Sequence, residues 1–152
     1  SDGLYSSALD AVQELIGGML DICDEVAFGK IAEPYQARDP NLIESQFSYN
    51  SILDFADNIR SVQNVYLGSL DASTGKNSLS NIVAKYDEAL DRRVKTEIED
   101  AIDAITAIGK DGVTFRDAIL DSKYDGRVEK AQSSTAQLMD TLNGEVLPLF
   151  AR

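Results

Sequence analysis

The sequence predicts an all-α fold: an antiparallel four-helix bundle with a long first crossover loop and two short extra helices. Three observations carry that prediction. Apolar residues recur at alternating spacings of three and four over four long segments, the periodicity of a helix with one buried face. No segment alternates apolar and polar residues as a half-buried strand would. Glycine, proline and serine clusters separate the periodic segments, and all connections but the first are short enough for antiparallel neighbours. At 152 residues the chain fits a single helical-bundle domain, 1–152, long enough to bury a core.

The first helix is expected over about residues 4–28. Tyr5, Ala8, Val12, Leu15, Met19, Ile22 and Val26 form one apolar stripe, and Leu9, Ile16, Leu20, Cys23 and Ala27 form a second beside it. Two adjoining stripes imply burial around more than half the circumference. The Leu9, Ile16 and Leu20 side is therefore expected to expose an apolar patch that packs against something outside the chain. Gly17-Gly18 should cost about 1 kcal/mol per glycine relative to alanine, which implies a bend or a close approach. Gly29 is placed near the C-cap. From Gly29 to about Asn50 the pattern breaks, with Pro34 and Pro40 inside it, and the segment reads as loop with one short turn. A loop of that length within a compact domain points to function.

Ser48 or Ser51 is expected to cap the second helix, with Ile52, Phe55, Ile59, Val62 and Tyr66 facing inward and Gly68 at its end. A polar loop follows over residues 69–78. Its Thr74-Gly75-Lys76 is no phosphate loop, because the motif's first glycine and its preceding strand are missing. Ser78 can cap a short helix from Leu79 to about Tyr86. The third long helix turns Leu90, Val94, Ile98, Ala101, Ile105 and Ile108 inward, with Glu88–Arg92 and Asp91–Lys95 as i,i+4 pairs on its outer face. Residues 109–112 end it, 113–120 form another short helix, and 123–126 form a turn. The fourth helix places Val128, Ala131, Thr135, Leu138, Leu142 and Leu149 inward, with Pro148 bending its last turn.

Composition excludes several functions. Fourteen Lys and Arg against 26 Asp and Glu give a net charge of −12, which argues against a nucleic-acid partner. The absence of histidine removes Ser-His-Asp and Cys-His catalysis and any His-ligated zinc site within the chain, so no catalytic residue is assigned. A single cysteine rules out an internal disulfide and every multi-cysteine metal motif. Cys23 shares a stripe with Leu9, Ile16 and Leu20 and is expected to be buried and inert. No apolar run approaches the roughly 20 residues of a membrane-spanning helix. The chain opens Ser1-Asp2-Gly3 without a basic-then-apolar signal region, as a processed product, a cloned domain or a fragment would.

Glu44, Ser45, Ser48, Asn50, Ser51 and Asp54 form a polar cluster at the loop-to-helix junction. One reading is capping, with Asp54 at the third position of a box started by Ser51; the other is a ligand site. Asp21, Asp24 and Glu25 on the first helix, and Glu99, Asp100 and Asp103 on the third, share i, i+3, i+4 spacing. Bundle di-metal sites also require histidines, which leaves solvated acidic faces or an all-carboxylate Ca²⁺ or Mg²⁺ site. Tyr35, Tyr49 and Tyr66 either line a groove or sit at the rim of the core.

The runs Lys30-Ile31-Ala32-Glu33-Pro34-Tyr35, Glu44-Ser45-Gln46-Phe47-Ser48-Tyr49-Asn50-Ser51 and Tyr66-Leu67-Gly68 resemble the C-terminal half of the imelysin-like proteins. These are iron-regulated bacterial envelope proteins, also classed as insulin-cleaving metallopeptidases. The region from Leu79 to Ile108, with Phe115-Arg116-Asp117-Ala118-Ile119, is similar to the same family. Its signature Gly-x-His-x-x-Glu belongs to the other half of a two-bundle protein and is not here. The resemblance implies a divalent metal or iron shared with a missing N-terminal half, and a partner that is the N-terminal bundle of the same precursor or a second copy. It implies ligand contacts from Glu44, Ser45, Ser48, Asn50 and Asp54, with Glu44 as a metal ligand. It also implies the periplasm or the outer-membrane-associated envelope. Substrate or metal contact within a metallopeptidase, and a purely structural interaction module, are the alternatives.

Overall fold

In the computed structural model, residues 2–44 and 50–151 are described, with side chains from residue 6 onward. The fold is all-α, and no strand occurs among the described residues. Helix α1 (Asp2–Asp24) is followed by α2 (Glu33–Ala37), α3 (Ser51–Leu67), α4 (Leu79–Tyr86), α5 (Glu88–Ile108), α6 (Phe115–Leu120) and α7 (Asp125–Thr141). The four long helices touch in a closed ring: α1 on α3, α3 on α5, α5 on α7, and α7 on α1. Their inner faces merge into one apolar core that also takes in Phe115 and Ile119 of α6.

The inward stripes of α3, α5 and α7 follow the periodicity closely. Phe55, Ile59, Val62 and Tyr66 are buried on α3, all six expected positions from Leu90 to Ile108 on α5, and Val128, Ala131, Thr135 and Leu138 on α7. The short helices start where hydroxyls offer caps. Ser78 Oγ accepts the Asn81 N–H at 3.1 Å, and Thr114 Oγ1 accepts that of Asp117 at 3.1 Å. Gly75 is needed for a close approach. Its N–H donates to the Leu67 carbonyl at 2.7 Å, and a Cβ there would lie 2.8 Å from the Gly68 carbonyl oxygen.

The first helix departs from expectation in three ways. It does not stop at Phe28. The chain passes from α1 into a π-helical stretch, Glu25–Ala32, and then directly into α2, so the expected loop from Gly29 is helical as far as Ala37. Pro34 lacks an N–H, and in a regular α-helix its ring would press on the carbonyl four residues back. The widened i→i+5 turn ahead of it relieves that contact and lets Val26, Ile31 and Tyr35 keep facing the core. Arg38, at φ 51°, then ends the helix in the left-handed region, and Asp39 caps a 3₁₀ turn, Pro40–Leu42.

Second, the residues that α1 buries lie on the seam between the two expected stripes: Ile16, Met19 and Cys23, while Leu15 of the first stripe is exposed. Leu9 and Leu20 are partly buried and packed on the core, so the expected exposed patch is covered by the chain's own α7, α3 and C-terminal turns. Third, Gly17 and Gly18 do not mark a close approach, since a Cβ at either would have open space.

At the other end, α7 changes at Leu142 rather than bending at Pro148. It widens into a π-helical turn, Leu142–Val146, and tightens into a 3₁₀ turn, Leu147–Phe150. Leu149 is only partly buried; Phe150 takes the inward place. The Phe150 carbonyl accepts Gln13 Nε2 at 2.8 Å, tying the final turn to α1.

Candidate functional site

Where the crossover rejoins the bundle, the π-helical stretch, the segment after the 3₁₀ turn and the first turns of α3 enclose a cleft of about 270 Å³. Lys30, Glu44, Asp54, Phe55, Asp57 and Asn58 line it. Phe55 forms the floor and stacks edge-on against Phe115, with ring centroids 5.1 Å apart. Lys30, mostly buried, places its Nζ 3.5 Å from Glu44 Oε2 and 4.0 Å from Glu25 Oε1. Asp57 is engaged by Arg60 at 2.7 Å. Three carboxylates, of Glu44, Asp54 and Asp57, line the cleft, and its one ammonium, of Lys30, faces Glu44.

Arg38 holds this corner to the bundle. Its two Nη atoms meet Asp125 Oδ1 and Oδ2 at 2.6 and 2.8 Å at the start of α7, and Nη1 also donates to the Ile119 carbonyl at 3.1 Å. The guanidinium lies 4.5 Å over the Tyr35 ring, while the Tyr35 hydroxyl donates to Glu129 Oε1 at 2.9 Å. The paired guanidinium holds the Asp125 carboxyl below the usual carboxylate range. A bidentate clamp of this kind fixes orientation as well as distance.

Of the sequence-predicted site residues, the fold brings Glu44 and Asp54 into one cleft. Asn50 is the N-cap of α3, its carbonyl accepting the Asp54 N–H at 3.0 Å. Ser45 and Ser48, with Tyr49, lie outside the described residues. The capping-box reading of Ser51 and Asp54 does not hold. Ser51 is the first helical residue and is buried, and Asp54 is the fourth. Tyr66 lines no groove; it is wholly buried, and its hydroxyl donates to Asp91. Asp91 itself is buried rather than on an outer face, although its predicted pairing with Lys95 forms at 3.1 Å. Both carboxylate triplets, on α1–π and on α5, are exposed. Cys23 is buried as expected, and burial pushes its thiol up to about 12, so it is not a thiolate at neutral pH.

Sequence reasoning missed Lys30 as a site residue. Placed in a supposed loop, it had no calculable facing; within a helix it points along the crossover to Glu44. Among the described residues no three His, Cys, Asp or Glu side chains converge as metal ligands, and Glu44 already faces an ammonium. The described residues alone therefore do not fit a metal ion.

A sequence profile of imelysin, peptidase M75, matches residues 1–142. The chain belongs to the imelysin family. It is 28% identical over 149 residues to iron-regulated protein A of Synechococcus elongatus, covering 98% of this chain and 41% of that protein. The crystal structure of an imelysin peptidase from Bacteroides ovatus superposes with a TM-score of 0.85 at 30% identity, over 95% of this chain and 41% of that one. A Parabacteroides distasonis protein, described as an iron-regulated protein A precursor, superposes with a TM-score of 0.84 at 28% identity, over 94% and 42%. The chain thus spans about two-fifths of the length of the relatives it matches. No helix among the described residues is long and apolar enough to cross a membrane.

Proposed function

We propose that this chain is one helical-bundle unit, residues 1–152, of a longer imelysin-like protein, and that it supplies one wall of a ligand site serving iron-related uptake or homeostasis at the bacterial cell envelope. The observation that carries the reading is the Lys30–Glu44–Asp54 cleft. It joins an exposed carboxylate, a second carboxylate and an ammonium at the segment whose motifs carry the family resemblance. The names of the relatives, iron-regulated protein A and its precursor, support the iron-related role and the envelope setting.

Glu44 supplies a carboxylate oxygen to a metal or polar ligand, and Ser45, Ser48, Asn50 and Asp54 supply hydrogen bonds around it. The other donors come from outside this chain, in the N-terminal bundle of the same precursor or in a second copy. The relatives' greater length supports a partner bundle; an exposed apolar patch on α1 does not. A second reading, the substrate- or metal-contacting half of a metallopeptidase, is favoured by likeness to the Bacteroides ovatus imelysin peptidase. In that reading the catalytic groups lie elsewhere, because this chain has no histidine.

Calorimetric titration of Zn²⁺, Fe²⁺ and Mg²⁺ into this chain and into the longer protein tests the proposal. This chain alone should bind transition metals weakly, since carboxylates without imidazole or thiolate are hard ligands. In the longer protein Asn50→Ala, removing an orienting neighbour, should cost about 10- to 100-fold in affinity, and Glu44→Gln should cost more. Tight Zn²⁺ or Fe²⁺ binding by this chain alone would overturn the reading, as would unchanged affinity in Glu44→Gln. Proteolysis by the longer protein that disappears on metal removal would favour the peptidase reading.

A further inference from the structure

Glu97 lies on α5 where that helix faces the C-terminal end of α7, with 9% of its surface exposed. Its Oε1 accepts the Thr141 hydroxyl at 3.0 Å, while its Oε2 is shielded from solvent and meets no donor among the described residues. Gln137 Nε2 donates to Thr141 Oγ1 at 3.3 Å, so the Thr141 proton is directed to Glu97. A buried carboxylate with one oxygen unpartnered has lost its hydration without replacement, and binding a proton removes that penalty.

The cation that could compensate is Arg93, one turn earlier on α5. Its Nη2 is instead drawn to Glu145 Oε1, at 2.6 Å, on the π-helical turn after α7. The other charged groups facing Glu97 are acidic: Asp100 on its own helix and Glu145 on that turn. From α7 it meets the neutral Thr141. Burial holds the Glu97 carboxyl above the usual carboxylate range, with Glu145 and Asp100 adding to the effect and Thr141 and Arg93 opposing it. A polar cleft of about 280 Å³, lined by Glu97, Asp100, Ser133, Ser134 and Gln137, brings water to this edge of the α5–α7 contact and gives the proton a route.

We propose that Glu97 is a proton-operated latch on the C-terminal segment: protonated, it lets α5 and α7 close over it and leaves Arg93 to Glu145; ionised, it draws Arg93 away and frees residues 142–150. The freed segment includes Phe150, whose carbonyl holds Gln13 of α1 and whose ring packs edge-on against Tyr86. One protonation event on α5 therefore reaches α1 and α4.

The sign follows from linkage. The folded state binds this proton more tightly than the unfolded chain does. The latch's contribution to stability is full below the unfolded carboxylate value, near about 4.3. It is lost as pH rises through the elevated folded value. Asp71, held down at about 2 by the Ser69 and Ser73 hydroxyls, and Asp125, held down by Arg38, act with the opposite sign and in more acid solution.

Urea unfolding of the wild type and of Glu97→Gln between about pH 5 and pH 8 isolates the effect, because glutamine mimics the protonated acid. The folded-to-unfolded ratio of the wild type should fall relative to the variant by up to about tenfold per pH unit in the titration window. Amide exchange at residues 142–150 should rise with pH faster in the wild type than in Glu97→Gln. In Arg93→Gln protection relative to the intrinsic base-catalysed rate should be low at every pH. The wild-type Glu97 side-chain carboxyl ¹³C resonance provides a test that needs no variant, and its midpoint should lie above the ordinary carboxylate value. A midpoint at or below that value overturns the proposal. So do parallel pH profiles for wild type and Glu97→Gln, or protection factors at residues 142–150 that still change with pH in Arg93→Gln.

Discussion

Asp91 and Glu97 sit on the same helix, at 5% and 9% exposure, and their neighbours treat them oppositely. Asp91 Oδ1 accepts the Tyr66 hydroxyl at 2.7 Å and the Ser80 hydroxyl at 2.6 Å, and Oδ2 meets Lys95 Nζ at 3.1 Å. Donors from α3, α4 and α5 thus converge on one carboxylate and join three helices around it. Among the described residues Glu97 receives one hydroxyl and nothing on its other oxygen. Burial alone does not make a carboxylate structural. The donors that replace its water decide whether it serves as a fixed joint or a titrating group.

The largest expected effect tests the satisfied member of the pair. Asp91→Ala strands two hydroxyls and weakens the anchoring of Lys95, and should cost about 3 kcal/mol in urea unfolding at neutral pH. A loss within the range of ordinary surface substitutions would erase the contrast with Glu97. Tyr66→Phe removes one donor and keeps the ring, and should cost about 1 kcal/mol. That cost should largely vanish in an Asp91→Ala background, which a double-mutant cycle would show. Burial and the adjacent Asp91 both push the Tyr66 hydroxyl above its ordinary range, so it stays a donor throughout accessible pH. The smallest effect belongs to Thr141→Val. Removing the one donor to Glu97 should cost about 0.5 kcal/mol at neutral pH and less in acid, where the carboxyl is already neutral. Equal costs at both pH values would place the two carboxylates in the same class.

The residues themselves made α3 and α5 legible. Phe55, Ile59, Val62 and Tyr66, like the stripe from Leu90 to Ile108, keep strict helical spacing and all lie in the core. The crossover was not legible, because Gly29 and Pro34 are the ordinary local marks of a helix end. A π-helical turn shifts the period without ending the helix, and no short-range signal separates the two outcomes. That error hid Lys30. The association of Glu44 with Asp54 was visible in the motif, but the ammonium between Glu25 and Glu44 needed the facing of a helix not foreseen. Asp91 shows the complementary limit. Its i,i+4 partner Lys95 was readable, whereas Tyr66 and Ser80 come from other helices and turn a supposed surface pair into a buried joint. Glu97 carries no local mark at all, since its distinction is a missing donor.

The Gln13–Phe150 hydrogen bond and the packing of α1 on α7 have a consequence for synthesis. Within this bundle, the helix made first leans on the segment made last. While the chain is translated, α3, α4 and α5 can gather around Asp91 once residue 108 is free of the ribosome, but Ile16, Met19 and Cys23 lack the cover that α7 provides. At ordinary elongation rates of about 5–20 residues per second, synthesis from residue 108 to residue 150 takes roughly 2–8 seconds. For that interval the nascent bundle carries an unshielded apolar ridge on α1, and the bundle closes only when its 147–150 turn arrives.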